Sequence, residues 1–424
     1  MADSLNSPIP RLPAQANGAA LAPLREPLFR SLWFAAVISY TGTWMQNVGA
    51  GWLMTQLTMS PFMVGMVQAA TTLPVFLVIL PAGALADMVD RRRFLLITQA
   101  WMVTAAGLLG IFTLLGYVTP WILLLFTFVL GLGAVMNDPA WQAITPEIVC
   151  RENHAPAVAL NSVGFNAARA VGPALGGAVI AVTNSGVAFL MNAASFFGVI
   201  FFLYRWKRPS FEHPETERML ESMRVGFRYI RSARVVHCVL IRTGAFSIAA
   251  SSLLALLPII ARRCPYGASG YGLLLGSFGL GALAGAAVLP RLRLSLSVDA
   301  VVVAAIVTFA VMTFLAGRAQ SFPWLALILF ASGTAWIGIL ACLNVAAQTM
   351  SPPWMRARAL SVYLLVLQGG MALGSAAWGA LASHIGVPTT MLCSAIVLIL
   401  GLGTVRHYRL TLPDLELTPS VVRD

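Results

Sequence analysis

Charge is what this 424-residue sequence has least of: Asp, Glu, Lys and Arg together make up 10%, against about a quarter in ordinary globular chains. A soluble fold of this length must cover a large surface with charge, and this chain cannot. Lysine is nearly missing, with Lys207 the single one among 27 basic residues, and the acids number only 15. The net charge of +12 lies in short clusters between apolar runs rather than on a polar face, which argues against a nucleic-acid partner. The five cysteines (Cys150, Cys238, Cys264, Cys342, Cys393) are far apart and have neither metal-site nor disulfide spacing. The five histidines are scattered over loops and ends, so a membrane enzyme or scaffold built on a clustered site lacks its residues. No phosphate-cradling glycine loop, kinase set or G-x-S-x-G elbow occurs, which leaves ATP drive and hydrolase chemistry without support. No cofactor is implied. The first ~24 residues lack the basic start and apolar core of a cleavable signal peptide.

Apolar residues are abundant: 58% of the chain is hydrophobic, and the mean hydropathy is +0.82. A membrane-crossing helix needs ~20 mostly apolar residues. Twelve such runs are present, near 32–54, 62–85, 94–116, 121–143, 157–182, 187–204, 237–261, 271–290, 298–316, 324–345, 359–383 and 389–408. They are continuous rather than alternating with period two, so they read as helices and not as barrel strands. The lipid bilayer is the implied solvent, and the expected fold class is an all-α integral membrane protein of twelve transmembrane helices.

Arginine orients them. Arg25 and Arg30, Arg91 to Arg93, Arg151, Arg205 with Lys207 and Arg208, Arg291 and Arg293, Arg356 and Arg358, and Arg406 and Arg409 all fall on one side. The alternate connections hold only Arg262, Arg263 and Arg318. By the positive-inside rule both termini are cytoplasmic, with Arg262 and Arg263 as exceptions. The expected organisation is a disordered tail over 1–27, a six-helix half over 28–206, a linker over 207–236, a second half over 237–410 and a tail over 411–424. In the linker, Met219, Leu220, Met223, Phe227 and Ile230 share a helical face beside Arg224, Arg228 and Arg231, which suits a lipid surface. A short internal repeat supports two parallel halves: AWQAITP at 140–146 and AAQTMSP at 346–352 each precede a basic loop and an Ala-Leu step.

Within the loop after the second run, Gly83, Leu85, Ala86, Asp87, Arg91 and Arg92 stand in a pattern that resembles the G-x-L-A-D-R-x-G-R-R/K signature of the major facilitator superfamily. Met88 and Asp90 depart from it. The resemblance implies two pseudo-symmetric six-helix halves and gives Asp87 with Arg91 the role of a cytoplasmic latch between them. In the fifth run, Gly172, Pro173, Gly176 and Gly177 resemble the antiporter signature of exporters in that superfamily, with Ala168 in place of its upstream glycine. Glycines let helices approach closely, and an internal proline bends them.

Arg169 sits near mid-depth of the fifth run, where an arginine costs ~2.5–3.5 kcal/mol. Ser162, Asn166 and Arg169 recur at helical spacing as one polar stripe. Arg169 is expected to contact an anionic substrate group or to pair with Asp138. Asp138, placed close to the cytoplasmic face of the fourth run, is the candidate for proton binding or, alternatively, a helix-end cap or salt bridge. By analogy with the superfamily, Trp44, Gln46, Asn47, Asn137, Asn344 and Gln348 are candidate substrate contacts. The stretch Pro139-Ala140-x-Gln142-Ala143, Asn161-Ser162, Asn166-x-x-Arg169 resembles the transmembrane secretion effector branch, which includes enterobactin-exporter-like proteins. That implies a monomeric bacterial inner-membrane transporter exporting a siderophore, drug or other amphipathic small molecule by alternating access, with protons as a coupling partner. Uptake and lysolipid flipping are the rival readings within the same fold.

Overall fold

The structure is a computed structural model that describes residues 20–206, 234–349 and 356–407, with side chains left out at 80, 81, 83–88, 234–236, 357, 406 and 407. The expected linker helix and both tails beyond these limits lie outside the described residues. Among the described residues twelve long helices follow one another: α1 Pro27–Leu57, α2 Pro61–Met88, α3 Arg91–Leu114, α4 Pro120–Ile148, α5 His154–Val182, α6 Ser185–Arg205, α7 Arg234–Ala261, α8 Gly267–Ser295, α9 Val298–Ala316, α10 Phe322–Thr349, α11 Arg356–Ile385 and α12 Val387–Gly401. A short helix Gly403–His407 follows α12, and the last apolar span runs through both, over Val387–Val405.

The helix ends follow local chemistry. Asp90, Thr119, Asn184 and Ser297 each accept a hydrogen bond from a backbone N–H of the next turn, which starts α3, α4, α6 and α9. Prolines occupy the first turns of α1, α4 and α12, where no backbone N–H is needed. Gly386, with φ of 78°, lets α11 turn directly into α12. Just before α1, Ala22–Arg25 forms a 3-10 turn. Glu26 Oε1 then accepts from the Cys150 N–H (3.2 Å) and from Asn153 Nδ2 (2.8 Å), tying the start of α1 to the α4–α5 connection.

Eleven of the helices are long and apolar enough to cross a membrane; α1, at 31 residues, has the length but not the hydropathy. It is instead packed inside its half, against α5 and α6. The pairings repeat on adding six to each helix number. In the first half α1 packs on α5 and α6, α2 on α4, and α3 on α4 and α6; in the second half α7 packs on α11 and α12, α8 on α10, and α9 on α10 and α12. Across the halves α2 packs on α11 and α5 on α8, a pair that exchanges under the same operation. This is the pseudo-twofold of two parallel six-helix repeats. Within the second half, buried Arg242 of α7 forms an ion pair with Asp299 at the start of α9, which sequence reasoning had not singled out.

Among the described residues, several of the closest backbone approaches between the halves lie toward one end. We call the end carrying Arg91, Arg92 and Arg93 the basic end and the opposite one the distal end. At the distal end a Cβ on Gly177 would lie 2.6 Å from the Ala268 carbonyl and 2.9 Å from Gly272 Cα. A Cβ on Gly65 would lie 2.6 Å from the Ser375 carbonyl and 3.1 Å from Gly379 Cα. The Phe62 N–H donates to Ser383 Oγ (3.2 Å). Arg262, at the end of α7, donates to the Thr55 carbonyl in the last turn of α1 (2.5 Å). Arg263 donates to the Gly317 carbonyl at the end of α9 (3.3 Å). Both exceptions to the charge pattern are therefore helix C-terminal partners, where the peptide dipoles favour a cation. Towards the basic end α5 and α8 part. Val163 lies seven residues before Ala170 on the face that meets α8, yet it is 61% exposed, and Leu283 on α8 is exposed likewise. Among the described residues, α5 and α8 meet at the distal end and part toward the basic end.

Candidate functional site

The Gly-Pro-x-x-Gly-Gly segment of α5 places the site. Gly172 and Gly176 face α1, where a Cβ would come within 2.6 Å of Trp44 Cβ and 2.7 Å of Met45 Cα; Gly177 faces α8 in the other half. Pro173 removes the N–H that would bond the Arg169 carbonyl. That carbonyl lies against Gly279 of α8, where an added Cβ would sit 3.2 Å away. One short segment thus fits α5 against α1 on one side and against the other half on the other, and it holds Arg169 at the seam.

Arg169 borders a cavity of about 320 Å³ between the halves, within the size range of small-molecule sites. Both halves build it, with α1, α2 and α5 facing α7, α8, α10 and α11. Among the described residues Arg169 is the one charged residue in its wall, and its guanidinium lies 5.7 Å from the Trp44 ring centroid. Phe165, Tyr271, Phe278 and Trp336 add aromatic surface, and Asn47, Gln68, Thr71, Thr72 and Gln368 add uncharged polar groups. The Trp336 indole N–H, packed against Phe246, Phe278 and Phe309, has no hydrogen-bond partner among the described residues. A guanidinium on an aromatic face, with further aromatics around it, recognises a flat organic anion.

Behind α1, inside the first half, lies a side chamber in two adjoining parts of about 110 and 160 Å³. Asp138 borders both parts, with Thr43, Met102, Ala134 and Phe196. As a residue, Asp138 is exposed. It sits ten residues before the end of α4, or about 15 Å at the helical rise. Among the described residues no ion pair joins Asp138 to Arg169, because Trp44 and Phe165 stand between the chamber and the cavity. Of the two expected roles for Arg169, contact with an anion in the cavity is the one its surroundings fit.

A family model described as "Transmembrane secretion effector" matches residues 18–423. The chain belongs to that family, within the major facilitator superfamily. Among curated relatives of this transmembrane secretion effector, the enterobactin exporter EntS of Escherichia coli is 26% identical over 411 residues, 93% of this chain and 96% of that protein. The staphyloferrin A transporter of Staphylococcus aureus is 26% identical over 164 residues, 38% of this chain and 41% of that one. Among solved structures, a bacterial homologue of the human lysosomal transporter Spinster, in an inward-facing and unoccupied conformation, superposes with a TM-score of 0.68 at 13% identity, covering 90% of this chain and 96% of that one. The nucleoside transporter NupG gives 0.68 at 13% identity, covering 90% and 99%. Family and fold are those of multi-pass membrane transporters, not enzymes.

Of the expected substrate contacts, Trp44, Asn47 and Arg169 line the central cavity. Gln46 does not; its Oε1 accepts from Asn192 Nδ2 (2.5 Å) on α6 and borders the side chamber. Asn137 is buried and accepts from Gln99 Nε2 (3.0 Å) on α3. Asn166 lines neither space, its amide turning back to the Ser162 carbonyl (2.8 Å). Asn344 and Gln348 bond to each other along α10 (2.6 Å), away from both spaces. Gln68, Thr71 and Thr72 were missed, although their i, i+3, i+4 spacing in an apolar helix marks a polar face. In the loop motif, Asp90 caps α3, Arg91 pairs with Glu147 of α4 (2.7 Å), and Arg92 donates to the Leu203 and Tyr204 carbonyls that end α6. These described contacts of Arg91 and Arg92 brace one half internally; the side chains of Gly83 to Met88, Asp87 included, lie outside the described residues.

Proposed function

We propose that this protein exports a small amphipathic organic anion, a siderophore or a similar metabolite, from the cytoplasm across the bacterial inner membrane. The observation that carries this reading is the single guanidinium of Arg169, laid on Trp44 in an aromatic cavity that both halves share. The relatives that transport siderophores support the substrate class. The clustered arginines support a cytoplasmic basic end and cytoplasmic termini. The splay of α5 from α8 then corresponds to an inward-open state, and rocking of the halves about the cavity gives alternating access as a monomer. Asp87 with Arg91 is proposed as the cytoplasmic latch of the opposite state. The gradient of an ion supplies the drive, with Asp138 as the acidic group that takes a proton.

Inverted membrane vesicles test direction and ligand together. Vesicles carrying the protein are expected to accumulate enterobactin or a related siderophore when energised, and vesicles with Arg169→Gln are expected not to. Loading of right-side-out vesicles instead would establish uptake, and flipping of a labelled lysolipid with no siderophore movement would establish the flippase reading.

A further inference from the structure

The outer face of the second half carries a groove of about 280 Å³ between α9 and α12, away from the transport cavity. Ala310 and Ala395, both buried, make its floor, and Val311 and Ile396, both exposed, make its rims. Alanine on both helices leaves a furrow that larger side chains would fill. Among the described residues every side chain that lines it is apolar, so hydrocarbon and not water is its natural filling.

The groove stops at the distal end where the two helices touch, an added Cβ on Gly317 lying 2.8 Å from Met391 Cβ. From Leu392 to Leu400 its α12 wall runs about 12 Å at the helical rise. That length fits within half of a hydrocarbon core ~30 Å thick. The groove therefore belongs to one leaflet, the distal one.

Two arginines stand at its distal mouth. The Arg318 guanidinium lies 4.3 Å from the centroid of the Phe314 ring, and Phe314 is itself a groove wall. That contact uses the face of the guanidinium and leaves the N–H groups on its edge free. Those groups have no acceptor among the described residues, and Arg318 is exposed. Arg263 donates to the carbonyl of Gly317, the residue before Arg318, and is exposed as well. The distal connections 58–60, 115–119, 183–184, 262–266, 317–321 and 386 contain no Asp or Glu. They hold three arginines, Arg262, Arg263 and Arg318, and two of these meet at this one turn. With no acid on the distal side to oppose them, the anion that complements this pair must come from outside the chain. Guanidinium forks match phosphate oxygens.

We infer that the α9–α12 groove, with Arg318 and Arg263 at its mouth, is a binding site for one anionic phospholipid of the distal leaflet. One acyl chain lies between α9 and α12, against Phe314, and the phosphate rests on the two guanidiniums. The site lies outside the transport path, so it stands or falls independently of the exported substrate.

The full-length chain, purified in detergent and washed free of lipid, is mixed with dioleoyl phosphatidylglycerol or dioleoyl phosphatidylethanolamine, and bound lipid is counted by native mass spectrometry. Phosphatidylglycerol is expected to bind about tenfold more tightly. Arg318→Gln is expected to bring the two lipids within about twofold of each other, and Arg318→Lys to restore part of the difference. Val311→Trp, which fills the groove from an exposed rim, is expected to weaken both lipids. Ile396→Trp does the same from the other rim, should the first variant fold poorly. Equal binding of the two lipids by the wild-type chain would overturn the inference. So would a phosphatidylglycerol preference that survives Arg318→Gln combined with Arg263→Gln, or lipid binding that both tryptophan variants leave unchanged. Soluble glycerol phosphate binding as tightly as the lipid would show an anion site that does not use the groove. A dimer mass that the tryptophan variants abolish would give the groove to a second copy of the chain, and either result would also overturn the inference. Loss of siderophore export would bear on the substrate reading alone.

Discussion

Gln46 and Asn47 are neighbours in sequence and part ways in the structure. One step along a helix turns a side chain by about 100°, so Asn47 reaches the central cavity while Gln46 turns to Asn192. An Asn192→Leu substitution strands the buried Gln46 amide, and the expected cost is about 1–3 kcal/mol of stability, measurable as a lowered melting temperature in detergent. Arg169→Gln removes a charge-assisted contact worth about 1.5–3 kcal/mol. We expect anion binding to weaken by roughly tenfold to a hundredfold, in an equilibrium binding assay, with the amount of protein in the membrane unchanged. Sequence could identify which residues were polar inside apolar runs, but not the rotation of each helix about its axis. Hence Trp44 and Arg169 were found, Gln68 and Gln368 were passed over, and Asn344 with Gln348 were assigned to a cavity they do not reach. Their bond to each other satisfies both amides at i, i+4 without any ligand.

At the scale of elements, the glycines of α5 are the most informative. Their spacing was legible as a close-packing signature; that Gly172 and Gly176 serve α1 while Gly177 serves α8 was not, since partner identity depends on the crossing of three helices. Gly177→Val puts a branched side chain against the Ala268 carbonyl and Gly272, an overpacking of about 1–3 kcal/mol. The distal closure is expected to weaken accordingly. A cysteine placed at Val64 would then react faster with an impermeant thiol reagent supplied from the distal side. Arg262→Gln is expected to act in the same direction but more weakly. Its bond to the Thr55 carbonyl is half-buried and is worth about 1 kcal/mol, or roughly a fivefold change in the same reaction rate. The exceptions to the arginine pattern were visible in the sequence; their use as helix-end partners required the neighbouring carbonyls.

For the whole molecule, twelve helices and a repeat of six were readable because hydrocarbon imposes length and continuity on each span. The state of the bundle was not, because open and closed forms share one sequence and one set of spans. Pairing cysteines at Phe62 and Ser383, in a chain whose five native cysteines are replaced, should lock the distal end once oxidised. Transport is expected to stop and to return on reduction. The splayed end, the closed end and the cavity between them then form one machine with a single moving seam. One element of it has a history to reconcile with its place. Helix α1 carries Trp44, Gln46 and Asn47 through the membrane without the hydropathy that its eleven companions have. It leaves the ribosome before α5 and α6, the neighbours that shelter those groups, have been made. Biogenesis must therefore detain this helix at the insertion machinery until later spans arrive, so its lipid entry is a collective event rather than a solitary one.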